Sequence, residues 1–374
     1  MSEIRRLGIL TGGGDAPGLN AVIRSLAKAA MTRHNIRVVG VMDGFSGLVE
    51  MKTRELELGD VRGILPRGGT ILGTTNRGNP FKYVERLADG SERVLDASAI
   101  AKQNFERLGL DCLVVIGGDG TLAIAHRLMT EHGLPVVGVP KTIDNDIAAT
   151  DRTFGFATAV EVASEALDRL HTTAESHHRI MLLEVMGREA GWIALHSGVA
   201  GGADVILIPE IPFRMEPVIA KVWARQNRGC PFSIIVVAEG ACPKGGDQVF
   251  QSRDETTGWK RLGGVSYQLA PVLKEKTGLE VRVTVLGHIQ RGGTPCAIDR
   301  ILGTAFGCRA LELVLAGRFG HMVALRGERI DEVPIEQAIN RLKLVDPAGQ
   351  LVSCARSLGI VFGNENADEV LDNE

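Results

Sequence analysis

A lysine, a threonine hydroxyl and two carboxylates fall within six residues where the apolar run VVGVP meets KTIDND, residues 136–146. Lys141 offers a point charge and Thr142 a hydroxyl that can donate to a phosphate, while Asp144 and Asp146, two positions apart, face the same side of an extended segment. Two acids beside a polyphosphate repel it unless one faces a metal ion and the other a hydroxyl awaiting deprotonation. Phosphoryl transfer requires that division of labour. A surface turn rich in Asp and Asn accounts for the single dipeptides but not for the set.

Two glycine-rich turns supply the phosphate side. TGGGDAPGLN, residues 11–20, leaves an apolar run and enters a helical pattern. Three consecutive glycines, Gly13 at their centre, let backbone N–H groups turn toward an anion at a helix N-terminus. The stretch matches neither GxGxxG nor GxxxxGK[ST]. GGDGT repeats the geometry with Gly117, Gly118, Asp119, Gly120 and Thr121, and Asp119 stands where a Mg²⁺ holding a polyphosphate takes an oxygen ligand. One such turn is compatible with a bare strand-to-helix corner; two point to a phosphate-binding enzyme.

Arginines come from the second half. Arg179 and Arg188 flank one apolar run, Arg282 opens another, and His288 and Arg291 lie in GHIQRGG. Arginine suits bidentate capture of phosphate, although any one of these fits a surface ion pair equally well. Glu239 follows a fully apolar run and can accept from sugar hydroxyls. His177 and His178 read as structural.

These residues need rigid supports. Apolar runs at 6–10, 37–41, 112–116, 135–139, 179–185, 204–208, 233–237 and 281–286 lack polar alternation, as strands covered on both faces do. Leu19, Val22, Ile23 and Leu26 have helical spacing, as do Val160, Ala163, Ala166, Leu167 and Leu170. The alternation predicts open parallel α/β sheets with helices on both faces, and six strand ends carrying the polar motifs mark one ligand-binding rim. The polar stretch 242–264 reads as an exposed loop, and the acidic last dozen residues as a frayed tail.

Composition closes off other classes. A net charge of -3 leaves no basic footprint for nucleic acid or anionic membrane, and 4% aromatics argue against base stacking. The length of 374 residues suggests two domains. Six cysteines without a CxxC pair read as free thiols of a cytoplasmic protein. No apolar segment approaches the length of a membrane span.

TGGGDAPGLN, GGDGT, PKTIDND, EVMGREAGW, AEG and VLGHIQRGGTP, in this order over residues 6–326, resemble a 6-phosphofructokinase, in a mixed-motif group between ATP-dependent and pyrophosphate-dependent members. The resemblance implies Mg²⁺-dependent transfer of a phosphoryl group to the 1-hydroxyl of fructose 6-phosphate, a step of glycolysis. It implies two doubly wound, Rossmann-like domains with the active site in the cleft between them. The larger, donor domain would comprise residues 1–156 and about 290–342, and the smaller, sugar-phosphate domain about 157–289 and 343–374.

Carried over residue by residue, Asp144 matches the base, and Asp119 with Asp146 the metal site. Gly13, Gly117, Gly118, Gly120, Thr121 and Thr142 match the lining of the donor phosphates. Arg188 and Arg77 match residues that stabilise charge on the transferring group. Met186, Gly187, Glu239, His288 and Arg291 match sugar-phosphate contacts, and Phe45 an aromatic beside adenine. Arg179 and Arg282 match residues that reach into a neighbouring subunit's site, which implies a homo-oligomer, dimer or tetramer.

The donor is read from two positions. Pyrophosphate users carry aspartate at the position of Gly120 and lysine at that of Lys141, whereas many ATP users carry glycine at both. An aspartate at 120 would fill the space of the α-phosphate, and glycine leaves it open. ATP is therefore the expected donor and pyrophosphate the alternative. A non-catalytic regulatory subunit would have lost Asp119 or Asp144, and a diacylglycerol or NAD kinase would lack KTIDND and GHIQRGG; neither reading fits.

Overall fold

The computed structural model describes residues 4–86, 90–253, 260–339 and 341–372. The chain forms two compact units. The first comprises Met1–Ile143, Ile147–Thr158 and Arg291–Leu342, and the second Asp144–Asp146, Ala159–Gln290 and Lys343–Glu374.

The first unit is built on an eight-stranded sheet with Arg6–Thr11, Cys112–Gly117 and Val136–Thr142 side by side and parallel. Arg37–Val41 continues it in parallel beyond Arg6–Thr11, and antiparallel pairs finish both ends. The predicted continuous apolar runs have a direct cause, because alternate residues feed two cores. Leu7, Ile9, Val114, Ile116, Val137 and Val139 join one core. Leu10, Leu113, Val115 and Val136 join the other. Helices Leu19–His34 and Ala297–Leu315 cover the first face, where Phe154 meets Phe306 edge-on at 6.3 Å. Helices Ser98–Arg107 and Asp119–His132 contribute to the second.

The second unit has a four-stranded, wholly parallel sheet in the order Val205–Leu207, Ser233–Ala238, Ile180–Val185, Val281–Val285. Val281–Val285 is its edge strand, and Arg282 and Val285 are exposed, so this run is not covered on both faces as the sequence suggested.

Two further expectations are corrected. Within 242–264, strands Phe250–Arg253 and Lys260–Leu262 pair as an antiparallel hairpin, and residues 254–259 lie outside the description. Short polar strands carry no burial signal, so composition alone reads as loop. The acidic C-terminal stretch is anchored: Phe362 and Val370 are buried, helix Ala367–Asp372 forms, and an Arg214 Nη2 donates to the Glu365 carbonyl at 2.5 Å. All six cysteines are free thiols. Among the described residues, no helix is long and apolar enough to cross a membrane.

Candidate active site

The six motifs divide three and three between the two sheets. In the first unit, GGGD, GGDG and KTIDND leave three neighbouring parallel strands, which brings the two glycine turns and Lys141 together. Thr121 is the shared support. A Cβ at Gly12 or Gly117 would lie 2.6 or 2.4 Å from its side chain, so both positions require glycine. Gly13 sits at φ 77, and its Cβ direction opens toward Thr121 Oγ1 and Lys141 Nζ, each at 3.5 Å, and Asn76 Oδ1 at 3.9 Å. Lys141 is buried, and its ammonium donates to the Gly14 carbonyl.

The first turn is not a simple ring of inward amides. The N–H of Gly12 donates to the Ile116 carbonyl at 2.9 Å and that of Gly13 to the Thr75 carbonyl at 3.1 Å. Gly13 thus lines the hollow without offering its own N–H. The second turn differs. Gly118 precedes helix Asp119–His132, whose first N–H groups have no partner within the helix and whose dipole favours an anion there. Asp119 lies in that first turn, and a Cβ at Gly120 would meet nothing within 4 Å.

Arg77 lines a cavity of about 580 Å³ with Ser46, Val49, Tyr83, Leu95 and Ile100. Phe45 is not presented to this space; it is buried in the second core. Arg291, expected at the sugar phosphate, belongs to the first unit, where its Nη1 donates to the Asp15 carbonyl at 3.2 Å and lies 3.0 Å from where a Gly14 Cβ would be.

Thr142 ends its strand buried, and Asp144 and Asp146 are buried in the second unit. The expected extended geometry fails here. Asn145 adopts φ 55, a left-handed conformation that asparagine tolerates better than most residues, so strand alternation does not set the facing of the two acids.

The second unit gathers the other three motifs after adjacent strands. Gly187 at φ 149 and Arg188 at φ 55 form a tight turn whose Arg188 N–H donates to Glu239 Oε1 at 3.0 Å. One Glu239 oxygen is thereby engaged by backbone, a role the sequence reading missed. The Met186 N–H donates to the fully buried Gln290 at 2.8 Å, and Gln290 Nε2 donates to the Ala159 carbonyl at 3.2 Å. Gln290 stands inside the GHIQRGG motif and is found only through its burial. His288 is exposed in the same short turn.

Arg179 and Arg282 meet on one carboxylate: Glu280 accepts from both. Hydrogen bonding from Arg179 holds the Glu280 carboxyl below its ordinary range against a smaller opposing effect of burial, with the charges of both arginines adding. Glu210 is pushed the other way by burial, although the N–H groups of Gly191 and Val345 donate to it.

Among the described residues no group of three or more His, Cys, Asp or Glu side chains forms a metal-holding cluster. Mg²⁺ does not need one, since it is commonly held by one or two carboxylates, substrate phosphates and water. Asp119 at the glycine turns fits that pattern.

The phosphofructokinase family model matches residues 6–314. An ATP-dependent 6-phosphofructokinase of Chloroflexus aggregans is 54% identical over 365 residues, covering 97% of this chain and 99% of the relative. A pyrophosphate–fructose 6-phosphate 1-phosphotransferase of Streptomyces coelicolor is 52% identical over 359 residues, covering 96% and 100%. The phosphofructokinase of Pichia pastoris in the T-state superimposes over the whole chain with a TM-score of 0.78 at 31% identity, and the chain spans 38% of that longer structure.

Gly187→Ala tests the turn that carries Arg188. With φ 149 and a Cβ placed 2.5 Å from the Ala190 carbonyl oxygen, alanine is expected to destabilise by about 1–3 kcal/mol, read by denaturant unfolding.

Proposed function

The chain belongs to the phosphofructokinase family and is an enzyme of phosphoryl transfer, and from that premise we propose that it moves the terminal phosphoryl group of ATP to the 1-hydroxyl of fructose 6-phosphate. The observation that carries ATP as donor is Gly120. Glycine weakens a helix by roughly 1 kcal/mol, and an acid in the first turn would strengthen it through the dipole. Nothing packs where a Cβ would go, so neither packing nor helix stability explains the glycine. A ligand's need for the space does.

In this reading the two glycine turns and Lys141 bind the donor phosphates, with Gly117, Gly118 and Thr121 shaping them and Thr142 donating to the transferred group. Asp119 and Asp146 would hold Mg²⁺, which would supply positive charge to offset that of the donor phosphates. Asp144 takes the proton from the sugar hydroxyl, a contribution of about 10²- to 10⁴-fold for a well-placed base. Arg188 and Arg77 stabilise charge on the transferring group, and Met186, Glu239 and His288 contact the sugar phosphate. Arg291, whose Nη1 also donates to the Asp15 carbonyl, joins them at the sugar phosphate.

The active form is a homo-oligomer in which Arg179 and Arg282 serve a neighbouring copy's site. Their shared Glu280 preorients them, and the exposed Val285 and Ile289 nearby in sequence offer apolar surface for a partner. Pyrophosphate as donor is the second reading, supported by the buried Lys141 and by the Streptomyces relative.

A coupled assay on fructose 6-phosphate with ATP and pyrophosphate side by side tests the donor; turnover with pyrophosphate alone contradicts ATP. In the same assay Gly120→Asp is expected to weaken ATP use more than pyrophosphate use, and equal losses would count against the occlusion argument. Asp144→Ser is expected to lower kcat by about 10²-fold or more with the KM for fructose 6-phosphate little changed, and unaltered kcat removes the base from Asp144.

A further inference from the structure

Beyond the residues that define the family, a lysine near the C-terminus grips the segment that carries Asp144. Lys343 lies 198 residues from Asn145 in the chain, and its Nζ donates to Asn145 Oδ1 at 3.0 Å. Its backbone N–H donates to the Asp146 carbonyl at 2.8 Å. Its carbonyl accepts from the Trp192 indole N–H at 2.8 Å, and the ammonium lies 5.6 Å from that ring's centre. Two residues on, the Val345 N–H donates to Glu210 Oε1 at 2.8 Å, and the same carboxylate accepts the Gly191 N–H. One short C-terminal stretch therefore bonds both the Asp144–Asp146 segment and the turn that follows Arg188. All of these residues belong to the second unit. Lys343 lies outside residues 6–314, the span of the family model, so no motif points to it.

We infer that Lys343 is a positioning residue: it holds the left-handed Asn145 and the Asp146 backbone so that Asp144 keeps one orientation. The inference rests on the proposed role of Asp144 as base. The physical need is local. A peptide bent out of its strand by a φ of 55 at Asn145 takes its direction from residues 342–343: Ile147 bridges Leu342 in antiparallel pairing, and Lys343 adds two bonds to consecutive residues from one side. The backbone bond alone would survive substitution of the side chain. The ammonium contact adds a bond to the Asn145 side chain itself. Misplacing a reacting group by an ångström costs about 10²-fold in rate, so a loosened segment lowers kcat before it alters donor binding.

Lys343→Met and Lys343→Arg in the full-length protein test this. For Lys343→Met, kcat on fructose 6-phosphate is expected to fall about 10- to 100-fold while the KM for the donor stays within about 3-fold. Hydrogen exchange of the peptide spanning residues 142–148 should accelerate at least about 10-fold, and Lys343→Arg should restore most of both. A merely structural lysine would lower the melting temperature without this split between kcat and KM and without selective exchange in that peptide. Exchange equal to the wild type in Lys343→Met overturns the inference. Wild-type protein inactive with both donors would instead remove the functional reading, and the exchange experiment would still decide whether Lys343 holds the segment.

Discussion

An ammonium group buried at the end of a strand sets the terms for the first unit. Lys141 is only 3% exposed, and a charge removed from water is costly unless polar groups or a counter-charge surround it. The Gly14 carbonyl supplies one partner, which pins the first glycine turn to the end of the strand two places away in the sheet. The parallel order of Val136–Thr142, Cys112–Gly117 and Arg6–Thr11 is what makes that bond possible, since it puts three strand ends at one rim. In the proposed function the donor's phosphate is a further partner for this group. The glycines around it have separate tasks: Gly12 and Gly117 make room for Thr121, Gly13 bends the chain at φ 77, and Gly120 makes room for nothing in the protein itself.

The second unit solves a different problem. Its loops must hold charged side chains in turns that most residues avoid, and Arg188 and Asn145 both sit in the left-handed region. Each is held by a bond from elsewhere in the chain: Glu239 takes the Arg188 N–H, and Lys343 reaches Asn145. Buried Gln290 and half-buried Glu210 extend the same support by accepting backbone N–H groups from Met186 and from Gly191. Strain of about 1–3 kcal/mol at such residues persists only where the surroundings over-determine it.

The central strands of both sheets were readable because burial on two faces leaves an unbroken apolar run, as in CLVVI and SIIVV. The motifs were readable because chemistry fixes residue types at strand ends. What stayed hidden depends on contacts between distant segments. Nothing in RLKLVD marks Lys343 as a partner of Asn145, and nothing in KTIDND foretells that Asn145 leaves the extended conformation. Short exposed strands such as Thr53–Leu56 and Glu92–Leu95 gave no signal, because their pairing rests on backbone bonds while their side chains remain largely polar. The bond from Arg291 to the Asp15 carbonyl is likewise invisible in its motif, since it joins residues 276 apart in the chain.

The central claim is that Lys141, besides holding the first glycine turn, binds the donor's phosphate, and thermal unfolding of Lys141→Met with and without ATP or pyrophosphate tests it most directly. Removing the ammonium leaves the part-buried Gly14 carbonyl without this donor, a cost of about 1–3 kcal/mol, so the unliganded variant should melt modestly below the wild type. The stabilisation by saturating donor, about 2.7 kcal/mol at a hundredfold excess over Kd in the wild type, should largely vanish. A variant that melts far lower on its own yet keeps the full donor-induced shift would contradict the account.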